Sequence, residues 1–291
     1  SSQQAVHFAA QAVMAGTQDL VVAAGVESMS VVPMGSSISL GVKAGQPAPW
    51  GSGWRERYGD QEISQFRGAQ LICEQWGIKR SQLEEFALES HQRAIRAIDE
   101  GRFEREIAPL AGVSRDEGPR RDTSLEKMAS LAPLRDGWEI TAAVASQISD
   151  GAGALLIASQ AALDRYGLVP RARVHAMTVV GSDPVLMLTG PIPATRKVLD
   201  RAGMTVADID VFEVNEAFAP VLLAWSEDTG ASLERTNPNG GAIALGHPLG
   251  ATGAILMTKL LHELERSGGR FGLQTMCEGG GQANATVIEV L

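Results

Sequence analysis

The 291 residues carry 25 basic and 34 acidic side chains, a formal charge of -9, with 44% hydrophobic and 20% charged residues. That is the composition of an ordinary globular protein, long enough for two domains, and its acidity argues against nucleic acid or an anionic membrane as a partner. Two cysteines, Cys73 and Cys277, make no disulfide framework and fit a reducing compartment; no apolar run reaches the roughly 18 residues needed to span a bilayer.

Ala5, Val6, Ala9, Ala10 and Val13 stand at helical spacing. They predict a helix from the first residues to about Met14, with Gly16 ending it. Leu20 to Ala24 reads as a fully apolar strand closing at Gly25. From Met29 to Ile140 the texture changes. Gly- and Pro-containing loops (41–53) precede two charged amphipathic helices, one from about Ile63 to Trp76 and one from Ser81 to about Glu100. Glu84 is placed for a capping box with Ser81. Ala154 to Ala158 is then expected as a strand after Ser149-Asp150-Gly151. A second half follows: strand Val174 to Val180, helix Pro193 to Ala202, strand Val211 to Val214 and helix Glu216 to Thr229. A helix from Thr252 to Leu264 and a strand from Phe271 to Met276 complete it. Helix, glycine turn, apolar strand occurs near both ends of the chain, which suggests a duplicated βα unit.

Three positions look chemical. Asn215 stands between a strand and a helix, where an amide can hold a water or a carbonyl oxygen, or can simply cap the helix. His247 sits in Gly246-His247-Pro248-Leu249-Gly250, just before a glycine-rich helix start whose free N–H groups favour negative charge. Cys277 ends a strand against Gly279-Gly280-Gly281. It is either a buried strand cysteine or a working thiol that the glycines let a substrate approach. A thiol and an imidazole so placed suit acyl chemistry. Cys73 lies at core spacing in its helix. His7, His91 and His262 are expected at helix surfaces or edges, and His175 in a strand. No metal-ligand spacing, Walker sequence or dinucleotide-binding glycine motif occurs, so no metal is expected.

Asn215-Glu216-Ala217-Phe218-Ala219, Asn239-Gly240-Gly241-Ala242-Ile243-Ala244-Leu245-Gly246-His247-Pro248 and Cys277-x-Gly279-Gly280-Gly281 resemble, in this order, the motifs of the thiolases, the acetyl-CoA acyltransferases. Ser149-Asp150-Gly151-Ala152, Gly190-Pro191 and the stretch from Leu83 to His91 add to the resemblance, which covers the whole chain. It implies an α/β thiolase fold, with two similar βα halves in a layered αβαβα arrangement and an inserted helical loop domain. Residues 1–29 and 147–170 would belong to the first half, 30–146 to the insertion over the active site, and 171–291 to the second half. Each half is expected to rest on a mixed sheet.

The resemblance also implies roles. His247, Cys277, Asn215 and the backbone of Gly279 would be catalytic. Ser146 would contact pantetheine, Phe218 and the pair Gln65-Phe66 would lie near the acyl pocket, and Arg120 and Arg121 would meet the CoA nucleotide unless they form a solvated basic turn. Gln65-Phe66 stands where many thiolases have Met-Gly, which points to a longer, branched or ring-bearing acyl group unless Gln65 only caps its helix; Val144 replaces a frequent Asn. The family's nucleophilic cysteine would fall two positions before Ser1, so about 80–100 residues of the first half are expected upstream. The implied activity is thiolytic cleavage of a 3-ketoacyl-CoA, with coenzyme A as co-substrate and no permanently bound cofactor. The implied setting is a cytoplasmic bacterial homodimer or homotetramer. Its rivals are an acetyl-CoA C-acetyltransferase working in condensation, a non-catalytic acyl-CoA or lipid carrier of the same fold, and a β-ketoacyl synthase.

Overall fold

The computed structural model describes residues 1–291. The first half contributes helix α1 (Ser2–Met14) and strand β1 (Leu20–Ser28). The segment after it carries five helices, α2 (Ser36–Lys43), α3 (Ser52–Tyr58), α4 (Gln65–Trp76), α5 (Arg80–Asp99) and α6 (Leu125–Ala129). Strand β2 (Asp150–Ala158) and helix α7 (Gln160–Tyr166) return to the first half. The second half runs through β3 (Ala172–Gly181), α8 (Pro191–Ala202), β4 (Val211–Val214), α9 (Ala219–Thr229), α10 (Ala242–Leu245), α11 (Thr252–Ser267), β5 (Phe271–Glu278) and β6 (Gln282–Val290).

β1 and β2 form an antiparallel pair, with Leu20 opposite Ala158 and Ser28 opposite Asp150. This pair is antiparallel throughout, and the parallel neighbours of the mixed sheet expected of the first half are not among its two strands. The second sheet has the order β3-β6-β5-β4 and is mixed, with β4 parallel to β5 and the other pairs antiparallel. Between the sheets lie α1 and α11. Val6 and Ala9 of α1, Met257, Leu260 and Leu264 of α11, Ala23 of β1, Val211 of β4 and Ile288 of β6 share one apolar core. A larger core on the far side of the second sheet takes in α8, α9, α4 and α5. The alternation of sheet, helix pair, sheet and helices gives four of the five layers of the αβαβα arrangement the motifs imply.

The strand β6 is absent from the sequence reading. Its alternating polar residues Gln282, Asn284 and Thr286 resemble a solvated edge, yet Asn284 and Thr286 are buried against α1. Other differences are local. α5 has no capping box at Ser81 and Glu84: its N-cap is Lys79, whose N–H donates to Gln82 Oε1 at 2.9 Å, and Glu84 instead pairs with Arg80 Nε at 2.6 Å. Ser64, not Gln65, caps α4, its hydroxyl accepting from the Phe66 and Arg67 N–H groups. α9 starts at Ala219, so Asn215 is no helix cap. His7 and His91 are buried, not at helix surfaces. His7 Nε2 lies 2.7 Å from Thr286 Oγ1, and His91 Nδ1 accepts from the Arg120 N–H at 3.2 Å.

Candidate active site

β4 delivers Asn215 to the edge of the cleft. The strand's parallel register ends with Val214 opposite Thr275, and the Asn215 N–H continues it by donating to Thr275 O at 3.1 Å. That places Asn215 one strand away from the end of β5, which carries Cys277. His247 comes from the turn between α10 and α11, where its N–H donates to Gln147 O at 3.1 Å. Gly246 there has φ +91, and a Cβ on it would lie 2.0 Å from Ser149 Oγ, so the turn needs glycine on both counts.

The imidazole is held from both ends. Thr252 Oγ1 donates to Pro248 O at 2.9 Å, so the 2.6 Å contact between that oxygen and His247 Nδ1 requires Nδ1 to carry the proton. Nε2 is then a free lone pair, facing the Asn215 amide nitrogen at 3.3 Å. Burial pushes the His247 pKa down to about 4. The ring is therefore neutral at pH 7, with its basic nitrogen turned to the cleft. Asn215 Oδ1 is buried without a partner, as a site for an ordered water requires.

Cys277 is buried, and desolvation drives its thiol up to about 12, with the neighbouring Glu278 charge acting in the same direction. At rest it is a protonated thiol, suited to donating a proton rather than attacking. Cys73 sits in the core on α4 with its thiol likewise raised to about 12, and is inert. Gly280 and Gly281 both have positive φ in the turn from β5 to β6. A Cβ on Gly281 would lie 2.7 Å from Asp183 O, whereas one on Gly279 would meet nothing within 4 Å. The space in front of Gly279 is open.

A cavity of about 290 Å³ lies beside this cleft, lined among others by His91, Arg120, Lys127, Met128, Ala145 and Ile243. Ser146 lies between the lining residues Ala145 and Gln147, its N–H bonded to Ala217 O at 3.0 Å. Arg120 lines the cavity, but Arg121 turns away and forms an exposed ion pair with Asp99. Phe66 meets Phe218 edge-on, with ring centroids 5.6 Å apart, and Gln65 Nε2 donates to Met34 Sδ at 3.2 Å. The structure therefore joins Asn215 to His247, and Phe66 to Phe218, by direct contact.

Three supporting residues were missed by the sequence reading. Thr252 fixes the His247 tautomer. Gln147 donates through Nε2 to Gly118 O, Ile243 O and Ala244 O, tying the cavity wall to the His247 turn. His91 presents a neutral ring to the cavity, its pKa lowered to about 4 by burial and then by Arg120. For Thr252, an Oγ-bearing residue five positions after a candidate base was the only available signal.

A two-half layered fold whose motif-bearing turns bring together an amide and a neutral imidazole, with a protonated thiol ending the neighbouring strand, defines an acyl-transfer enzyme of the thiolase type. The comparisons agree. The family model for the thiolase N-terminal domain matches residues 1–161 and that for the thiolase C-terminal domain matches residues 168–290. This chain belongs to the thiolase family, whose members are acyltransferases. It is 57% identical to the steroid 3-ketoacyl-CoA thiolase FadA6 of Mycobacterium tuberculosis, over 100% of this chain and 73% of that protein. It is 42% identical to the beta-ketoadipyl-CoA thiolase of Pseudomonas aeruginosa, over 99% of this chain and 77% of that one. The crystal structure of human mitochondrial 3-ketoacyl-CoA thiolase in complex with CoA superposes with a TM-score of 0.88 at 35% identity, covering 100% of this chain and 76% of that one.

Proposed function

We propose that the protein is a 3-ketoacyl-CoA thiolase, cleaving a 3-ketoacyl-CoA with CoA to acetyl-CoA and a shortened acyl-CoA. The observation that carries this reading is the His247–Asn215 pair, with a lone pair on Nε2 and an unpartnered amide oxygen beside it. By the family pattern the nucleophile is a cysteine just ahead of α1. Support for its place comes from Ser2, whose Oγ accepts the Ala254 N–H and so seats the start of α1 on α11, two residues on from the Thr252 that holds His247.

In this mechanism His247 Nε2 accepts the nucleophile's proton, and the thiolate attacks the 3-keto carbon. The C2–C3 bond breaks, and acetyl-CoA leaves as an enolate. Its thioester oxygen is held by the now protonated Nε2 and by a water on Asn215. Cys277, a thiol at rest, protonates the enolate carbon. CoA then attacks the acyl-enzyme, its proton passing to Cys277, and the nucleophile leaves as a thiolate that takes back the proton held on His247 Nε2. Backbone N–H groups of the nucleophile and of Gly279 stabilise the tetrahedral oxyanion; one such donor is worth about 3 kcal/mol of barrier. The cavity lined by His91, Arg120 and Ile243 would take the pantetheine arm, with Ser146 between its lining residues Ala145 and Gln147; Arg120 is the better placed of the two arginines to meet the nucleotide, since Asp99 occupies Arg121.

The same reading assigns a bulky acyl group. The Phe66–Phe218 pair and Met34 build an apolar wall where Gln65-Phe66 replaces Met-Gly, and the relative FadA6 is named a steroid thiolase. We place the enzyme in the bacterial cytoplasm as a homodimer or homotetramer; no helix is long and apolar enough to cross a membrane. The test is kcat/KM for thiolysis by the full-length protein along a series from acetoacetyl-CoA to ring-bearing 3-ketoacyl-CoA. A graded rise is expected, since each methylene contributes only about 1–3 kcal/mol. Acetoacetyl-CoA as best substrate would overturn the acyl assignment in favour of an acetyl-CoA C-acetyltransferase. No cleavage of any member would overturn the activity.

A further inference from the structure

Glu216 follows Asn215 directly, yet its carboxylate points away from the cleft into the protein, where it is 1% exposed. No lysine or arginine pairs with it. Instead three neutral donors converge on it. Ser90 Oγ of α5 donates to Oε2 at 2.6 Å, the Ile243 N–H of α10 donates to the same oxygen at 3.2 Å, and Asn237 Nδ2 donates to Oε1 at 2.9 Å. Asn237 in turn spans β4, accepting from the Val214 N–H and donating to Val214 O. A buried carboxylate without a cation is costly unless its lone pairs are filled by hydrogen bonds, and here they are filled by three separate segments.

Those segments bear on the site. Ser90 precedes His91, and both His91 and Ile243 line the cavity. The loop 237–241 leads through α10 to His247. Two glycines make the convergence possible. A Cβ on Gly241 would lie 2.2 Å from Glu216 Cδ, and one on Gly240, which has φ +74, would lie 2.6 Å from Ser90 O. The Gly241 N–H adds a 3.2 Å bond to Ser90 Oγ. The paired glycines thus seat the loop directly on Ser90 and Glu216, which accounts for a part of the motif that the chemistry of His247 leaves unexplained.

We propose that Glu216 is a positioning residue for coenzyme A binding. Its carboxylate fastens both sides of the cavity wall, His91 through Ser90 and Ile243 through its N–H, to the strand that presents Asn215. This rests on the reading of the cavity as the pantetheine site. In Glu216→Gln the amide NH₂ must face at least one of the three donors, so one segment is released while size and shape are kept.

The test is steady-state thiolysis by the full-length protein, with CoA and the 3-ketoacyl-CoA varied separately, alongside thermal melts. Glu216→Gln should raise KM for CoA about tenfold and lower kcat no more than about threefold. Ser90→Ala, which removes one donor and leaves the carboxylate in place, should shift KM for CoA in the same direction by a smaller factor. If Glu216→Gln does not fold, Ser90→Ala alone decides. A purely structural role would reduce the active fraction, so kcat would fall with KM for CoA unchanged; that result, or no change at all in an active enzyme, overturns the proposal. Wild-type protein that fails to turn over any 3-ketoacyl-CoA overturns the functional reading instead, and is seen before any variant is made.

Discussion

Thr252→Val isolates one hydrogen bond in the proposed catalytic pair. Valine matches threonine in shape, so the buried position at the start of α11 stays filled. The change removes the oxygen that accepts from His247 Nδ1. Leaving that N–H unpaired costs about 1–3 kcal/mol, and every 1.4 kcal/mol is a factor of ten in population. The tautomer with a free Nε2 lone pair therefore loses about 5- to 150-fold against the one protonated at Nε2, which cannot accept the nucleophile's proton. We expect kcat for thiolysis to fall by a factor in that range. The rate at which iodoacetamide alkylates the nucleophilic thiol of the full-length enzyme should fall in parallel. Thr252→Ser keeps the oxygen and should retain most of both rates. A Thr252→Val enzyme within twofold of wild type, or a Thr252→Ser enzyme equally impaired, would refute the tautomer argument.

Cys277→Ala should abolish turnover yet still let the nucleophile take up acyl label from a radioactive acyl-CoA, because in the proposed mechanism Cys277 moves protons and does not attack; labelling lost in step with turnover would contradict this. Lys259→Met removes the cation 3.4 Å from Glu213, a carboxylate with no solvent exposure that burial already lifts to about 7. Breaking a buried pair costs about 3–5 kcal/mol. Denaturant unfolding should show that loss at pH 8, a smaller one at pH 5.5 where Glu213 binds a proton, and recovery in the double variant with Glu213→Gln. Burial holds His7 and His91 at about 4, below the 6.5 of an unfolded chain. The native state then binds fewer protons, so this stability is present above pH 6.5 and drains away as pH falls toward 4, on the order of 3 kcal/mol for each ring. Unfolding midpoints measured between pH 7 and 4.5 should fall accordingly, and less steeply in His7→Gln.

The elements with a strong apolar period were legible in the sequence: α1, α4, α5, α11 and the core of β5 all lie where the spacing of Val, Ile, Leu and Ala puts them. The three motifs located His247, Asn215 and Cys277 because glycines and prolines mark turns locally. What was hidden depends on partners distant in sequence. β6 reads as a solvated edge until α1 is laid across it, when Thr286 finds Gln3 and His7, and Asn284 finds Gln4. His91 reads as a surface histidine until the Arg120 backbone reaches its ring. Glu216 reads as an ordinary helix-start acid until three segments close on it. The helices α2 and α3, which overlap only the ends of the stretch 41–53 expected as loop, bury no residue, which leaves no apolar face for a periodicity to record.

The contact between α1 and α11 sets limits on how the molecule can move. At Gly253 a single added carbon would come within 2.0 Å of Gln3 N, and Ser2 Oγ accepts the Ala254 N–H beside it. Main chain lies on main chain there, with no side chains between to change rotamer and absorb a displacement. Sliding one half past the other would have to break that bond and part the apolar core that both helices share, so breathing by a hinge between the halves is expensive. The segments with least packing to surrender are α2 and α3, beside the Met34–Gln65 contact. If, as proposed, the segment carrying α2 and α3 covers the site, entry and exit of a long acyl chain would depend on that loosely held cover, while the pair of helices beneath keeps the reacting groups in register throughout the cycle.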